Sequence, residues 1–447
     1  MSGEELLDRA LIGSLQVQVA DEMTAMRQSR EARGDRELSR DDERQLARSL
    51  MQAAVSRHME VRMANGLELP DSSYDELLVE ALDREIFEAG AVSGLLSDDL
   101  IENININGCD EVWVTYADER GKVRADPVAA TDEDLIGLVQ SLGSYGGLNA
   151  RPFTRAHPEL DVRLPDGSRL SAVMSASERP SVSIRRNRYP QMTMAQLVRL
   201  GTVDEQLAAF LKGTVLARAN VMVAGATDAG KTTFLRAMIN CIPRDERLVV
   251  LERALELGIK RHPELHSDVV ELEEVLPDAE GNGGLSLQQL VLRTKRMDPG
   301  RVILGEVLGP EATETLNAMS QGNNGSLSTI HARSAEDTFS RLATYAAQYQ
   351  GLPFEVTHAL IAGTIDFVVF IEKNRKLGGK RCVTRVREVS GFSGGRVDGA
   401  DIFVPSAFDG RAVRSQAAIR RSVELEDAGY NDQAAAWSPV EDDGWQL

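Results

Sequence analysis

Only three cysteines occur in 447 residues, Cys109, Cys241 and Cys382, with neither a zinc-ligand spacing nor a CxxC pair between them. A disulfide framework and a cysteine zinc site are excluded, and the expectation is a reducing, cytoplasmic compartment in which all three are small buried hydrophobes. Positive charge is also scarce: 50 Lys and Arg stand against 69 Asp and Glu, a formal net charge of -19. No stable nucleic-acid binding is expected from that balance, a local basic channel aside. Long apolar runs are missing too, since the most apolar strip, 365–371, is far too short to span a bilayer and already contains Asp366. Glu4, Glu5 and Asp8 stand where a signal peptide would carry basic residues. Membrane contact is therefore expected to be peripheral. Hydrophobic residues at 42% supply ordinary cores for two or three α/β domains.

What the sequence does contain is the stretch Gly225-Ala226-Thr227-Asp228-Ala229-Gly230-Lys231-Thr232-Thr233, preceded by Val221-Met222-Val223-Ala224 and followed by Phe234-Leu235-Arg236. An apolar strand, a glycine-flanked loop and a helix thus occur in the order of a phosphate-binding P-loop. Such a loop turns several backbone N–H groups toward one point at the positive end of a helix. Lys231 then reaches the β and γ phosphates and the Thr232 hydroxyl ligates Mg²⁺, so ATP and Mg²⁺ are the expected cofactors. Asp228 is the awkward member, because a carboxylate inside this loop must turn away from the nucleotide or weaken its binding.

Two further runs, 248–251 and 302–304, read as buried parallel strands. Ligands of an open α/β sheet sit beyond the carboxyl ends of its strands, which puts Glu252 and Glu306 beside the phosphates. Glu306 is the best candidate to orient or activate the attacking water. Gly305 stands where a magnesium-binding aspartate is usual, so the metal must rest on Thr232, water and Glu252. His331 ends the strand-like run 327–330 and is either a sensor of the γ phosphate or an ordinary structural histidine.

The expected organisation is a helical N-terminal extension over 1–73, an α+β domain over 74–190, a RecA-like P-loop ATPase domain over 191–410 and an acidic, disordered tail over 411–447. In the extension, Leu46, Leu50 and Ala54 recur at helical spacing and Ser39 is placed to cap a helix. In the second segment, a helix from Asp75, a hairpin through Ile104, Ile106, Gly108 and Val112, a helix over 132–142 and strands near 160–164, 169–173 and 181–185 are expected. The stretch 192–219 reads as helical. Trp437 and Trp445 lie in the tail.

Several separate motifs carry a resemblance to the type II/IV secretion ATPase superfamily, most of all to the CpaF branch that assembles Flp (tight adherence) pili. They are Arg296-Met297-Asp298-Pro299, RVILGEVLGPEA (301–312) and GSLSTIHARS (325–334), together with IENININGCDEVWV, LDVRLPDGSRLSAV and SVSIRR in the N-terminal half. The resemblance implies an acidic box from Glu252 to Glu256, a catalytic Glu306 whose preceding glycine is normal for the family, and a histidine box ending in His331. It also implies a homo-hexameric ring whose N-terminal arginines, here Arg163, Arg169 and Arg185, reach nucleotide across an interface. The implied function is a cytoplasmic ATPase that powers pilus assembly or protein secretion through a polytopic inner-membrane platform protein. Arg253 within the acidic box, Asn323 where a histidine is frequent, and Asp228 depart from the pattern. With them a second reading stands open, an attenuated nucleotide-binding scaffold or regulator with little hydrolysis.

Overall fold

The computed structural model describes residues 11, 14–15, 18–19, 22–23, 26, 40–64, 74–87, 91–144, 153–164, 166–189, 191–275, 277, 283–320 and 324–432. Ser39, Asn323, Trp437 and Trp445 lie outside them. The chain forms two compact units, divided between Arg188 and Tyr189.

In the first unit, helices Arg40–Ala64 and Tyr74–Phe87 share a core built from Ala47, Met51, Val55, Leu78 and Leu82, which Leu15, Val19 and Met23 join. The helix expected to open the α+β segment therefore belongs with the helical extension, because its apolar stripe matches that of Arg40–Ala64. Helix Ala91–Ser97 leads into a six-stranded antiparallel sheet made of β1 (Ile101–Asn107), β2 (Val112–Tyr116), β3 (Lys122–Ala125), β4 (Glu159–Arg163), β5 (Arg169–Val173) and β6 (Ser181–Arg185). Its order is β3-β2-β1-β6-β5-β4. Strict alternation puts Ile104, Val114, Val162, Leu170 and Ile184 on one face, where Leu135 and Val139 of helix Asp132–Ser144 cover them. The other face is mostly polar, with Trp113 and Val173 among its residues.

The second unit begins with two helices where one was expected. Met194–Arg199 is closed at its start by a Thr193/Gln196 capping box; Gly201, at φ 71°, then breaks the run, and Asp204 caps Glu205–Leu216 by accepting from the Leu207 amide. The break follows from residue chemistry, since glycine tolerates the left-handed turn and Asp204 supplies a new cap. A sheet follows, containing β7 (Val221–Gly225), β8 (Leu248–Glu252), β9 (Val269–Glu273), β10 (Arg301–Val307), β11 (Leu327–His331), β12 (Phe367–Asn374), β13 (Lys380–Ser393), β14 (Arg396–Pro405) and β15 (Ala412–Arg414). Their order is β15-β14-β13-β12-β7-β11-β10-β8-β9; the block from β12 to β9 is parallel and β12 to β15 form an antiparallel meander. Helices cover both faces. Phe210 and Phe234 lie in one layer, Leu316, Phe339 and Ile361 in the other. β7 and β8 are apolar almost throughout because they are buried on both sides, and β10 and β11 are buried as well but carry Arg301 and Glu306, and Ser328, Thr329 and His331.

The fold does not stop at 410. β15 adds to the sheet edge, helix Ser422–Asp427 follows, and Tyr430 meets the Phe210 ring edge-on at 5.3 Å. The acidic composition of this segment concealed Ile419, Leu425 and Tyr430, which reach the same core as the P-loop helix.

Candidate functional site

The loop expected to hold phosphate leaves β7 at Gly225, where an added Cβ would lie 2.2 Å from the Ile371 carbonyl oxygen of β12, so no larger residue fits. Ala226 and Ala229 close a turn, Asp228 adopts φ 61° and Gly230 φ 92°, and helix Lys231–Ile239 begins directly after. Its first-turn amides have no carbonyl of their own helix to bond, which is the donor set a phosphate needs. Thr232 and Thr233 stand half-buried in that turn, while Ala226 and Thr227 are exposed.

Lys231 is almost buried. Its Nζ donates to the Ala226 carbonyl oxygen at 3.1 Å and to His331 Nδ1 at 3.0 Å, and lies 3.9 Å from Glu306 Oε1. His331 Nε2 in turn lies 2.9 Å from the same Glu306 oxygen. An ammonium only donates, so Nδ1 accepts and the imidazole proton sits on Nε2, pointed at Glu306. Burial pushes the His331 pKa below its ordinary value; Glu306 opposes this and Lys231 adds to it. The neutral ring is favoured. The parallel register of β11 on β7 places His331 beside Gly225, and Glu306 sits where the β10–β11 register slips between Leu304 and Val307. Such an irregularity re-aims side chains at a strand end. The Thr329 hydroxyl takes up the Gly305 carbonyl there at 2.8 Å.

Glu252 ends β8 but turns inward. Its carboxyl accepts from the amides of Glu256 and Leu257, each at 3.1 Å, and burial followed by the Glu256 charge raises its pKa to about 8. It holds the loop 252–257 from inside, with half-buried Glu256 in that loop. Arg253 is half-exposed, 3.6 Å from Glu274. Asp228 is paired with Lys373 and, at 2.8 Å, with Arg381. Burial works to raise its pKa, but the two cations prevail and hold it below the usual carboxylate value.

In the first unit, Arg163, Arg169 and Arg185 are consecutive register partners across β4, β5 and β6. The same row continues through Asn103, Thr115 and Lys122 on β1, β2 and β3. The structure thus gathers three residues scattered over 23 positions (185 less 163 is 22, counted inclusively) into one line at a single level of the sheet.

A protein-family model described as "Type II/IV secretion system protein" matches residues 87–399. The chain belongs to the type II/IV secretion system ATPase family. A putative conjugal transfer protein of Mycobacterium tuberculosis is 31% identical over 306 residues, covering 66% of this chain and 84% of that protein. The type IV secretion system protein PtlH of Bordetella pertussis is 28% identical over 330 residues, with coverage of 67% and 94%. Among solved structures, the VirB11 ATPase of the Brucella suis type IV secretion system, in complex with sulphate, shares 26% identity over 67% of this chain and 92% of its own, with a TM-score of 0.36. The RecA-like fold of this family of secretion ATPases is the one built around β7 here. No helix among the described residues is long and apolar enough to cross a membrane.

Four residues around the site were given no role by the sequence. Arg236, buried on the P-loop helix, donates to the carbonyls of Leu257, Glu256 and Tyr189 and so ties the 252–257 loop to that helix. Glu311 accepts from the amide of Gly309 at 3.1 Å and also from that of Leu308, shaping the turn after β10. Lys373 and Arg381 lie some 150 residues beyond Asp228 and belong to no phosphate-binding pattern. For Asp228 the available signal was its misfit charge, which called for a cation from elsewhere in the chain.

Proposed function

We propose that this chain is a motor ATPase, a member of the CpaF-like branch that works as a cytoplasmic homo-hexamer against a polytopic inner-membrane platform protein to drive pilus assembly or secretion. The observation that carries this reading is the convergence of Lys231, His331 and Glu306 at the carboxyl ends of β7, β11 and β10. Bound ATP supplies a phosphoanhydride bond to break. Lys231 would hold the β and γ phosphates, the Thr232 hydroxyl would hold Mg²⁺, and Glu306 would orient or activate the water while His331, its proton on Nε2, senses the γ phosphate. The tight Gly225 and left-handed Gly230 fit a loop that wraps phosphate. The engaged carboxyl of Glu252 leaves it better suited to shaping the 252–257 loop, with Glu256, than to binding metal. The row of Arg163, Arg169 and Arg185 supports a ring in which one subunit lends cationic charge to the nucleotide of the next.

The attenuated-scaffold reading draws on Asp228, Arg253 and Asn323. The pairing of Asp228 with Lys373 and Arg381 weakens it. The relatives' names, one for conjugal transfer and one for type IV secretion, support a transfer machine over a metabolic NTPase, and the net charge of -19 argues against DNA as a direct ligand. Steady-state ATP hydrolysis by the purified chain, with Mg²⁺ and with sedimentation to read its assembly, is the test. Turnover that Lys231→Ala abolishes is expected. Assembly with nucleotide but no turnover would favour the scaffold, and undiminished turnover in Lys231→Ala would remove the loop from the chemistry. Mixing Arg169→Ala with Lys231→Ala subunits should restore part of the activity if the arginines act across an interface.

A further inference from the structure

β7 has β12 on one side and β11 on the other. The two charged residues of its loop are drawn to opposite flanks. The Lys231 ammonium goes to His331 on β11 and toward Glu306 on β10, whereas the Asp228 carboxylate goes to Lys373 and Arg381. Lys373 on β12 and Arg381 on β13 are register partners, so the hairpin presents two adjacent cations to one carboxylate. Arg381 binds more than the charge. Its Nε donates to the Asp228 carbonyl at 3.1 Å, and its Cδ lies 3.0 Å from where a Cβ on Gly230 would stand. Asp228 is itself in the left-handed region at φ 61°, which aspartate tolerates better than most residues.

We infer that Lys373 and Arg381 are positioning residues for the phosphate loop: they hold the Asp228 carboxylate on the β12–β13 flank, apart from Lys231, and keep the left-handed corner of the loop in place. The inference rests on the reading of 225–232 as a triphosphate site. A carboxylate released from its partners would be free to swing toward the loop mouth and repel the triphosphate, whereas one held and neutralised hardly affects binding. Asp228 is then a fastening point of the loop, and the loop's conformation depends on a hairpin far away in sequence.

The test measures dissociation constants of a fluorescent, non-hydrolysable ATP analogue with Mg²⁺, on the full chain, at low and high ionic strength. Asp228→Asn, which keeps shape and removes charge, is placed in the wild-type and in the Lys373→Gln/Arg381→Gln background. Alone it should change affinity by about twofold or less. The double variant should bind about fivefold more weakly at low salt, and adding Asp228→Asn should recover most of that loss, with the differences shrinking at high salt. An equal effect of Asp228→Asn in both backgrounds would overturn the inference. So would a weakening that is independent of salt and not recovered, which would assign Arg381 a packing role only. Should the double variant fail to fold, Lys373→Gln, at a half-exposed site, carries the same comparison. Lys231→Ala separates the two levels: if it binds the analogue as the wild type does, the nucleotide reading falls and this one with it, and if it does not bind while the Asp228→Asn effects are equal, only the positioning role falls.

Discussion

At the amino end of β10, Arg301 is fully buried and its donors are matched: Nε and Nη2 grip both oxygens of Glu246 at 2.7 and 2.8 Å, and Nη1 donates to the Val215 carbonyl at 2.7 Å. Arg218 closes the other side of Glu246 at 2.6 Å, and a Cβ at Gly325 would strike the Arg301 guanidinium. At the carboxyl end of the same strand, Glu306 and His331 are each about one-third exposed, and a lysine, an imidazole and a carboxylate compete for few positions. The first cluster has one stable arrangement. The second can be rearranged by moving a proton or admitting an anion. Sequence alone offers a charged residue at either end of an apolar strand, and the difference between a fastening and a site lies in how completely the charge is satisfied.

The sharpest way to break this comparison is at its buried end. Arg301→Met should cost about 2–3 kcal/mol of folding stability, because Glu246 loses its bidentate partner while keeping Arg218, and the Val215 carbonyl loses a donor. Denaturant unfolding reads the loss, and the remaining folded molecules should keep their nucleotide affinity; a variant as stable as the wild type would mean the buried pair holds nothing. At the other end, Glu306→Gln should lower ATP turnover by about 100-fold while leaving the melting temperature nearly unchanged. A matching loss of stability would class Glu306 with Arg301.

Glu252 gives the smallest and most pH-specific effect. Its folded pKa of about 8 stands above the ordinary 4.5, so between those values the folded chain holds more protons than the unfolded one. Stability from this group is then present below pH 4.5 and lost as pH rises toward 8. Glu252→Gln should flatten that part of the stability profile in urea titrations run at stepped pH, and an unaltered slope would show that another group sets it.

The P-loop, the strands ending in Glu252, Glu306 and His331, and the paired strands of the first unit were legible because each is a local pattern: an apolar run, a period of two, a glycine at a turn. The split at Gly201 and Asp204 was legible in principle, as a glycine followed by a capping residue, but the apolar residues on either side masked it. Arg236, Lys373 and Arg381 were not legible, since their meaning depends on which distant strand the topology brings alongside β7. The line formed by Arg163, Arg169 and Arg185 depended on register, which no single strand's sequence contains. The continuation through Tyr430 was hidden by averaging composition over a segment whose few apolar residues matter individually.

Gly305 and Glu252 are separated by 53 positions (305 less 252), yet a Cβ at 305 would stand 2.8 Å from Glu252 Cγ and 3.0 Å from Oε1. Glu252 cannot step aside without letting go of the two amides that it holds. The two positions therefore share a single allowance of volume, and residue 305 cannot grow while Glu252 keeps its hold. Lineages that enlarge residue 305 are expected to have shortened residue 252 first, so the order in which substitutions accumulate, and not only their identity, is constrained by this contact.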